Sequence, residues 1–244
     1  MKNLLLLKAG EVALPLRLVA GDYDRWFFEA FGFSKKRFTV VHASMGQRVP
    51  ALTDFDGVII SGSPLSVTAL APWMASLGRA LVEAAARKVP ILGVCFGHQL
   101  LGHAFGAKVV RNPAGREIGS VEVSLTAAGL KDPLFEGVPP RFCVQATHED
   151  ILGGLPRKAV ALAGNANTAL QAMAIGDTVR GVQFHPELSA AGARAVIEAR
   201  RERLDAEGVA AGEAPSERPR RLLAGIQPSP FGARILENFL RHFT

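Results

Sequence analysis

The chain has 244 residues, of which 48% are hydrophobic and 20% are charged, and 28 Lys and Arg against 22 Asp and Glu give a net charge of +6. This composition excludes a disordered chain and a coiled coil, and the length suits one large domain over residues 1–244. The positive charge is scattered, so it does not by itself indicate a nucleic-acid partner, and we expect neither a nucleic-acid nor a membrane partner.

The cysteine content and the N-terminus indicate the compartment. Cys95 and Cys143 are too few for a disulfide framework, and no Cys/His cluster has the spacing of a metal site. The apolar run at residues 4–7 is too short for a signal-peptide core or a membrane span. We therefore expect a cytoplasmic protein without a metal centre.

The first half of the chain alternates short apolar runs with helical periodicity. The runs at 4–7, 38–41, 58–60 and 91–94 predict buried strands, and the segments 23–31 and 72–87 predict helices. Strands of this kind separated by helices are typical of a parallel sheet covered on both faces. Right-handed crossovers then predict a doubly wound α/β fold.

The second half has a different pattern. The β-type stretches 120–125, 142–147, 159–163, 170–174 and 179–184 predict antiparallel strands added to the parallel sheet. Residues 188–207 predict a helix. Residues 210–230, rich in Pro, Gly and Ser, predict a loop within the domain, and apolar residues at helical spacing predict a C-terminal helix at about 231–243.

Cys95 lies where an apolar strand meets a helical pattern, in the run Gly93-Val94-Cys95-Phe96-Gly97. This is the strand-turn-helix arrangement of a nucleophile elbow, and the helix N-terminus favours a thiolate over a thiol. A cysteine in an apolar strand is also a common small core residue, so this segment alone leaves both interpretations open.

A second segment, Gly181-Val182-Gln183-Phe184-His185-Pro186-Glu187, supplies what a cysteine nucleophile needs. A base must take and return a proton, and an acidic partner must fix the tautomer of that base. His185 and Glu187 offer both, although a solvated His-Pro-Glu turn would explain the tripeptide by itself.

Taken together, the two segments resemble those of the class I glutamine amidotransferases, which carry a Cys-His-Glu triad. The resemblance covers residues 3–188 and implies a flavodoxin-like, doubly wound, mostly parallel sheet with added antiparallel strands. It implies Cys95 as nucleophile, His185 as general base and acid, and Glu187 as the residue that orients His185. It also implies that no metal or organic cofactor is needed.

The resemblance extends to the remaining site residues. The loop Gly62-Ser63-Pro64 resembles the Gly-Gly-Pro loop of the family, which implies an oxyanion hole built from the backbone of Gly62, Ser63 and Phe96; an ordinary turn after a strand is the other interpretation. Substrate binding is implied for four further residues, with a structural role left open for the histidine: Gln99, Thr147, His148 and Glu149.

The resemblance implies an enzyme that hydrolyses the side-chain amide of glutamine through a Cys thioester, releasing glutamate and ammonia. The sequence contains no ATP-binding signature, so an acceptor reaction would need an ATP-dependent synthetase partner in trans. Standalone members of the family are similar to the amidotransferase half of GMP synthase, and some relatives hydrolyse γ-glutamyl peptide bonds. The alternatives are therefore a γ-glutamyl peptidase with the same triad and a non-catalytic regulatory subunit.

Overall fold

One mixed sheet of nine strands runs through the part of the chain that the computed structural model describes, residues 3–32 and 37–244. Residues 1–2 and 33–36 of the predicted domain lie outside the described residues. The strands are β1 (Leu4–Lys8), β2 (Phe38–His42), β3 (Gly57–Ile60), β4 (Ile91–Val94), β5 (Val109–Arg111), β6 (Glu117–Leu125), β7 (Arg141–His148), β8 (Asp150–Leu152), β9 (Ala159–Gly164), β10 (Ala172–Ile175) and β11 (Val179–Val182). The helices are α1 (Leu14–Ala20), α2 (Tyr23–Phe31), α3 (Pro72–Ala86), α4 (Phe96–Ala104), α5 (Ala190–Ala199), α6 (Arg201–Ala210), α7 (Glu217–Ala224) and α8 (Phe231–His242).

The parallel half of the sheet has the strand order β2-β1-β3-β4-β11. In β1, Leu4 and Leu6 belong to the core on one face of the sheet, whereas Leu5 and Leu7 belong to the core on the other. This division follows from the strand geometry, because successive side chains point to opposite faces. A strand that is apolar on both faces needs cover on both, which confirms the predicted doubly wound α/β class.

Helices form the two covering layers. Helices α2 and α8 pack on one face through Phe27 and Phe239, and α3 and α4 pack on the other through Leu81 and Leu100; all four side chains are fully buried. Burying one such side chain stabilises the fold by about 1.5–3 kcal/mol. The helix predicted over 231–243 is present as α8, and none of the helices among the described residues is long and apolar enough to cross a bilayer.

The antiparallel half continues the sheet in the order β11-β10-β9-β6-β7, which confirms the predicted extension. One of its predicted members behaves differently. Strand β11, in the stretch 179–184, pairs antiparallel with β10 but parallel with β4, so it joins the two halves. Its Val179 and Val182 are buried, as expected for a strand in the middle of a sheet.

The predicted helix over 188–207 is divided in two. Helix α5 ends before Arg200, whose ψ of 11° departs from helical geometry, and α6 begins at Arg201. The Arg200 amide donates to the Ile197 carbonyl at 3.1 Å, in the tighter i→i+3 pattern that often closes a helix. The break turns the chain so that the Arg200 side chain lines the cavity described below.

The segment 210–230, predicted as a loop, contains the helix α7. Its proline, Pro219, lies in the first helical turn, where the missing N–H would have had no intrahelical partner. The Glu217 carboxylate accepts from the Ala214 amide at 2.9 Å, and Glu213 pairs with Arg218 at 2.7 Å. These local contacts stabilise a short helix that proline content argued against.

Three connections leave the carboxyl edge of the parallel strands side by side. Ser61 follows β3, Cys95 follows β4 and Gln183 follows β11. In open α/β sheets this edge is where ligands bind. The fold therefore brings the three sequence segments of interest to one place.

Candidate active site

Cys95 stands at the sharp turn between β4 and α4, in a backbone conformation that side chains rarely adopt. Its φ of 51° and ψ of −103° lie in a region that costs about 1–3 kcal/mol. The Cys95 amide donates to the Val182 carbonyl at 2.8 Å, and its carbonyl accepts from the Gln99 amide at 3.0 Å. The thiol thus sits at the start of α4, where free N–H groups favour negative charge.

The glycines on either side of Cys95 are required by close backbone packing. A Cβ at Gly93 would lie 2.5 Å from the Gly97 carbonyl, and a Cβ at Gly97 would lie 2.5 Å from the Ile60 carbonyl oxygen. Backbone atoms cannot move aside as the end of a flexible side chain can. Any larger residue would therefore separate α4 from β3 and β4.

His185 reaches Cys95 because the strand that precedes it, β11, is the neighbour of β4. The His185 amide donates to the Gln145 carbonyl at 2.8 Å, which fixes the backbone beyond the strand. Its Nδ1 lies 2.7 Å from Glu187 Oε1, and these two side chains are 2% and 0% exposed. The structure therefore brings Cys95, His185 and Glu187 together, in the arrangement that the sequence suggested.

The surroundings of His185 favour its protonated form. Burial by itself lowers the pKa of His185, but the negative charges of Glu187 and of the Cys95 thiolate outweigh it and raise the pKa to about 10. Within the described residues, Nε2 makes no hydrogen bond to another protein group. An imidazolium beside the sulfur stabilises a thiolate, which is the form that attacks a carbonyl carbon.

The loop after β3 brings free backbone N–H groups to the same edge. Among the described residues, the amides of Gly62, Ser63 and Phe96 donate to no protein acceptor, which an oxyanion hole requires. Ser63 does not have a positive φ, so serine fits where the family has glycine. Its hydroxyl donates to the Ala9 carbonyl at 2.9 Å and accepts from the Leu65 amide at 3.0 Å, which holds the loop in place.

Gly62 is needed for a separate reason. A Cβ at this position would lie 2.7 Å from His185 Cε1 and 3.2 Å from Tyr23 Cε1. The absence of a side chain at Gly62 therefore makes the room in which the imidazole stands.

A cavity of about 580 Å³ opens at this edge of the sheet, with Cys95 and His185 in its wall. A volume in the range of about 300–1,000 Å³ is typical of small-molecule sites. The apolar lining of the cavity includes Leu16 of α1 and Trp26 of α2. The polar and charged lining includes Ser63, Gln99, Arg111, Arg116, Thr147, His148, Glu149, Asp150, Arg200 and Arg203.

Gln99, predicted to bind substrate, is a buried member of the cavity wall. Its Nε2 donates to the Asp150 carbonyl at 2.7 Å and to Gln183 Oε1 at 3.1 Å. Both amide hydrogens are thus used within the protein. Only the Gln99 carbonyl oxygen is left to meet a ligand.

The other three residues predicted to bind substrate also line the cavity, each with a protein partner. Thr147 accepts a hydrogen bond from Arg200, and Glu149 pairs with Arg116 and Arg203. His148 Nε2 lies 3.0 Å from the buried carboxylate of Glu117.

Several residues of the site were not singled out from the sequence. Tyr23 is buried beside the sulfur, and its pKa is raised by burial and by the charge of Cys95. Arg200 lies close enough for its charge to act on both groups. The Glu117 carboxylate lies 3.0 Å from His148 Nε2. The two residues face each other across β6 and β7, although 31 positions separate them in the sequence. An arginine between two charged helical segments and a glutamate in an interior strand carried no local signal for these roles.

Within residues 3–32 and 37–244, no group of three or more His, Cys, Asp or Glu side chains is placed to hold a metal ion. Both cysteines there are free thiols.

The chain matches a protein-family model. The family described as Glutamine amidotransferase class-I matches residues 26–200. Among curated proteins, a glutamine-hydrolyzing GMP synthase of Aeropyrum pernix is 34% identical over 145 residues, 59% of this chain and 26% of that protein. One subunit of the glutamine-hydrolyzing GMP synthase of Saccharolobus solfataricus is 35% identical over 141 residues, 57% of this chain and 71% of the subunit.

A relative named for a different activity is gamma-glutamyl peptidase 3 of Arabidopsis thaliana, 28% identical over 172 residues, 68% of this chain and 69% of the peptidase. The chain spans about a quarter of the length of the first curated relatives it matches, 26% and 23%. A glutamine amidotransferase structure from Thermotoga maritima superimposes with a TM-score of 0.77 at 22% identity, covering 100% of this chain and 98% of that one. That likeness supports the fold.

Proposed function

Because the chain belongs to the class I glutamine amidotransferase family, we propose that it hydrolyses the side-chain amide of glutamine through a thioester on Cys95. The observation that carries the proposal is the meeting of Cys95, strained at the end of β4, with the buried His185–Glu187 pair in the wall of one cavity.

The first half of the reaction forms the thioester. The Cys95 thiolate attacks the carboxamide carbon, a C–S bond forms, and the carbonyl electrons move to oxygen. The amides of Gly62, Ser63 and Phe96 stabilise this oxyanion; one such donor is worth about 3–4 kcal/mol in related sites. His185, protonated at rest, gives its Nε2 proton to the nitrogen, and ammonia leaves as the C–N bond breaks.

The second half returns the enzyme to its starting state. Neutral His185 takes a proton from water, and the water oxygen attacks the thioester carbon. The C–S bond breaks, glutamate leaves, and thiolate and imidazolium form again. Glu187 keeps the Nδ1–H of the ring in place throughout, so the same nitrogen first gives and then takes the proton.

The test measures ammonia and glutamate released from glutamine by the purified chain. We expect Cys95→Ala to abolish release and His185→Ala to lower it nearly to background. An electrophilic glutamine analogue should form an adduct on Cys95, and Cys143, half-buried on an outer strand, serves as the internal control. An adduct on Cys143 instead, or full turnover by Cys95→Ala, would contradict the proposal, whereas no release by the wild type and no adduct would favour a regulatory subunit.

A γ-glutamyl peptidase activity is the second candidate, because the cavity is larger than a single glutamine requires. The peptidase relative matches two thirds of this chain, which supports the same candidate. The chemistry is unchanged, except that an amine with a larger substituent leaves in place of ammonia. Product release from γ-glutamyl dipeptides, compared with ammonia release from glutamine, distinguishes the two.

Partners follow from the chemistry. The relatives that are single subunits of GMP synthase support a proposal that an ATP-dependent synthetase uses the ammonia in trans. A free thiol nucleophile also requires a reducing compartment, so we propose that the protein works in the cytoplasm. Pull-down with a candidate synthetase, and ATP-dependent amination by the mixture, would test the partner.

A further inference from the structure

Arg200 is a cationic side chain in the cavity wall that the reaction above does not use. It lies at the break between α5 and α6, is half-buried, and donates from Nη1 to the Thr147 hydroxyl. Within the described residues it makes no direct ion pair with a carboxylate, whereas the nearby Arg116 and Arg203 do. Its guanidinium therefore has donors to spare.

Arg200 is the cavity arginine that lacks a direct carboxylate partner among the described residues. Four arginines line the cavity, and the two glutamates among them are already shared: Glu149 pairs with three of the arginines and Glu207 with two. These residues are Arg111, Arg116, Arg200 and Arg203 with Glu149 and Glu207. Asp150 also lines the cavity, but its carboxylate accepts a hydrogen bond from Ser66 and makes no ion pair with these arginines among the described residues.

A half-buried guanidinium without a direct carboxylate partner favours a bound anion. Burial lowers the pKa of Arg200, and the positive charge of Arg203 lowers it further, against raising effects from Tyr23, the Cys95 thiolate and Glu207. A guanidinium does not lose its proton under these conditions, so the charge remains and must be compensated. A carboxylate is the natural complement, because its two oxygens match the planar fork of the guanidinium.

We propose that Arg200 binds a carboxylate of the γ-glutamyl substrate and so sets which compounds Cys95 attacks. The inference rests on the proposed function. The carboxylate has two possible sources, the α-carboxylate of the glutamyl part or a carboxylate on the amine that leaves. The two carboxylates lie on opposite sides of the amide bond that the thiolate attacks. The substrates of the test distinguish between them because they carry these carboxylates in different combinations.

The experiment compares Arg200→Gln with Arg200→Lys and with Arg201→Gln as the matched control. Arg201 is the next residue, is exposed, and pairs with Glu198 on the surface at 2.7 Å. Four substrates are used: glutamine, γ-glutamylglycine, γ-glutamylethylamide and the α-amide of glutamine. The first three keep the α-carboxylate, and only γ-glutamylglycine carries a carboxylate on the leaving amine.

We expect Arg200→Gln to lower kcat/KM about 10- to 100-fold for the substrates with the bound carboxylate, mainly through KM. Arg200→Lys should recover part of the loss, and Arg201→Gln should match the wild type. If Arg200 binds the α-carboxylate, the substitution lowers kcat/KM for glutamine, γ-glutamylglycine and γ-glutamylethylamide and leaves kcat/KM for the α-amide unchanged. If Arg200 binds the carboxylate on the leaving amine, the substitution lowers kcat/KM for γ-glutamylglycine alone among the four substrates.

An equal loss for all four substrates, or no loss, would overturn the role of Arg200. A binding measurement keeps this result separate from the proposed function. Titration of L-glutamate and γ-glutamylglycine into Cys95→Ala, and into Cys95→Ala with Arg200→Gln, reports binding without turnover. A weaker Kd in the double variant for either ligand supports the inference, and equal Kd values for both ligands, or no binding of either ligand to either protein, contradict it. Failure of the proposed function itself appears as no turnover by the wild type and no adduct on Cys95.

Discussion

At the scale of single residues, the strain at Cys95 can be separated from its chemistry, because glycine adopts the same backbone conformation without strain. Cys95→Gly and Cys95→Ala should both be inactive, since neither has a thiol. We expect Cys95→Gly to be more stable than Cys95→Ala by about 1 kcal/mol, because strain relief outweighs the extra flexibility of the unfolded chain. Urea denaturation measures the difference.

A matched control for that comparison is Ala75→Gly, on the exposed side of α3. There the backbone is helical, and glycine should cost up to about 1 kcal/mol. At each site, the difference in the free energy of unfolding between the glycine and the alanine form is compared. Opposite signs of this difference at the two sites would attribute the effect to the positive φ of Cys95. Equal destabilisation at both would show that the turn stores no strain.

The His185–Glu187 pair predicts the pH dependence of the reaction. In the proposed mechanism His185 donates the proton, and its pKa of about 10 places the alkaline fall of kcat/KM near that pH. Glu187→Gln removes a charge that raises the pKa, so the fall should move to lower pH. A profile of kcat/KM against pH checks both, and an unmoved alkaline limb in Glu187→Gln would contradict the assignment.

The same shift affects stability with a definite sign. The pKa of His185 is higher in the folded chain than its ordinary value of 6.5, so the folded state binds the proton more tightly. The stabilisation is complete below pH 6.5 and is lost as the pH rises through about 10. The free energy of unfolding of the wild type should therefore decline over this interval more than that of His185→Gln.

Gly62 and its neighbour Ser63 differ sharply in what they tolerate. Gly62→Ala places a methyl group 2.7 Å from His185 Cε1, so the ring must move from its place beside the thiol. We expect kcat to fall about 100-fold, the scale of a small misplacement of a catalytic group. Ser63→Gly keeps the backbone amide and should keep kcat within a few-fold. Comparable kcat values for the two variants would exclude this explanation.

At the scale of secondary-structure elements, the C-terminal helix supports the catalytic segment. A Cβ at Gly232, in the first turn of α8, would lie 2.3 Å from the Pro186 carbonyl oxygen, between His185 and Glu187 in the chain. Gly232→Ala should therefore displace the His-Pro-Glu segment and lower kcat with little change in KM. Steady-state kinetics on Gly232→Ala tests this dependence.

Gly225 supplies the control for the same substitution. It ends α7 with φ of −81°, and a Cβ there would meet its nearest atom at 3.4 Å. Gly225→Ala should leave kcat unchanged. A loss of activity in both variants would point to general destabilisation rather than contact with Pro186.

The elements also mark where sequence patterns stop being informative. Strand β1 was predictable because a short continuous apolar run is typical of a strand buried on both faces, and helix α2 because its apolar residues repeat with the helical period. The break at Arg200 has no glycine or proline to announce it, and it arises from packing around the cavity. Helix α7 was not predicted because its segment contains Pro219. A proline is compatible with a helix when it lies in the first turn, and sequence patterns alone did not show that Pro219 lies there.

At the scale of the whole molecule, one buried carboxylate joins the parts of the antiparallel half. Glu117 of β6 accepts hydrogen bonds from four groups on β7 and on the connection between β9 and β10. The donors are His148, Asn165, Thr168 and Gln171. Glu117→Gln exchanges an acceptor for a donor and should destabilise the fold by about 1–3 kcal/mol. Urea denaturation at neutral pH measures this.

The pH dependence gives that prediction its sign. Burial raises the pKa of Glu117, but the hydrogen bonds from His148, Asn165 and Thr168 outweigh it and lower the pKa below 4.5. Stability from this carboxylate is present above pH 4.5 and is lost as the pH falls through the lowered pKa. The difference between wild type and Glu117→Gln should therefore narrow in acid, and a difference that stays constant would contradict the role.

As with the elements of the fold, local sequence patterns predicted some residues of the site and not others. The arrangement of Cys95, His185 and Glu187 was predictable because each lies in a short segment whose local pattern states its chemistry. Arg200 and Glu117 depend on contacts between distant elements, and their side chains look like ordinary surface or strand residues in the sequence. The strand order decided their positions, and local patterns do not report strand order.

The place of β11 beside β4 has a consequence for how the protein is made. The ribosome delivers Cys95 long before it delivers His185, and the supporting helix α8 emerges later still. While the nascent chain grows, the thiol has neither its base nor the cation that makes it a strong nucleophile. We therefore expect a nascent polypeptide that ends before β11 to carry a less reactive thiol than the finished chain.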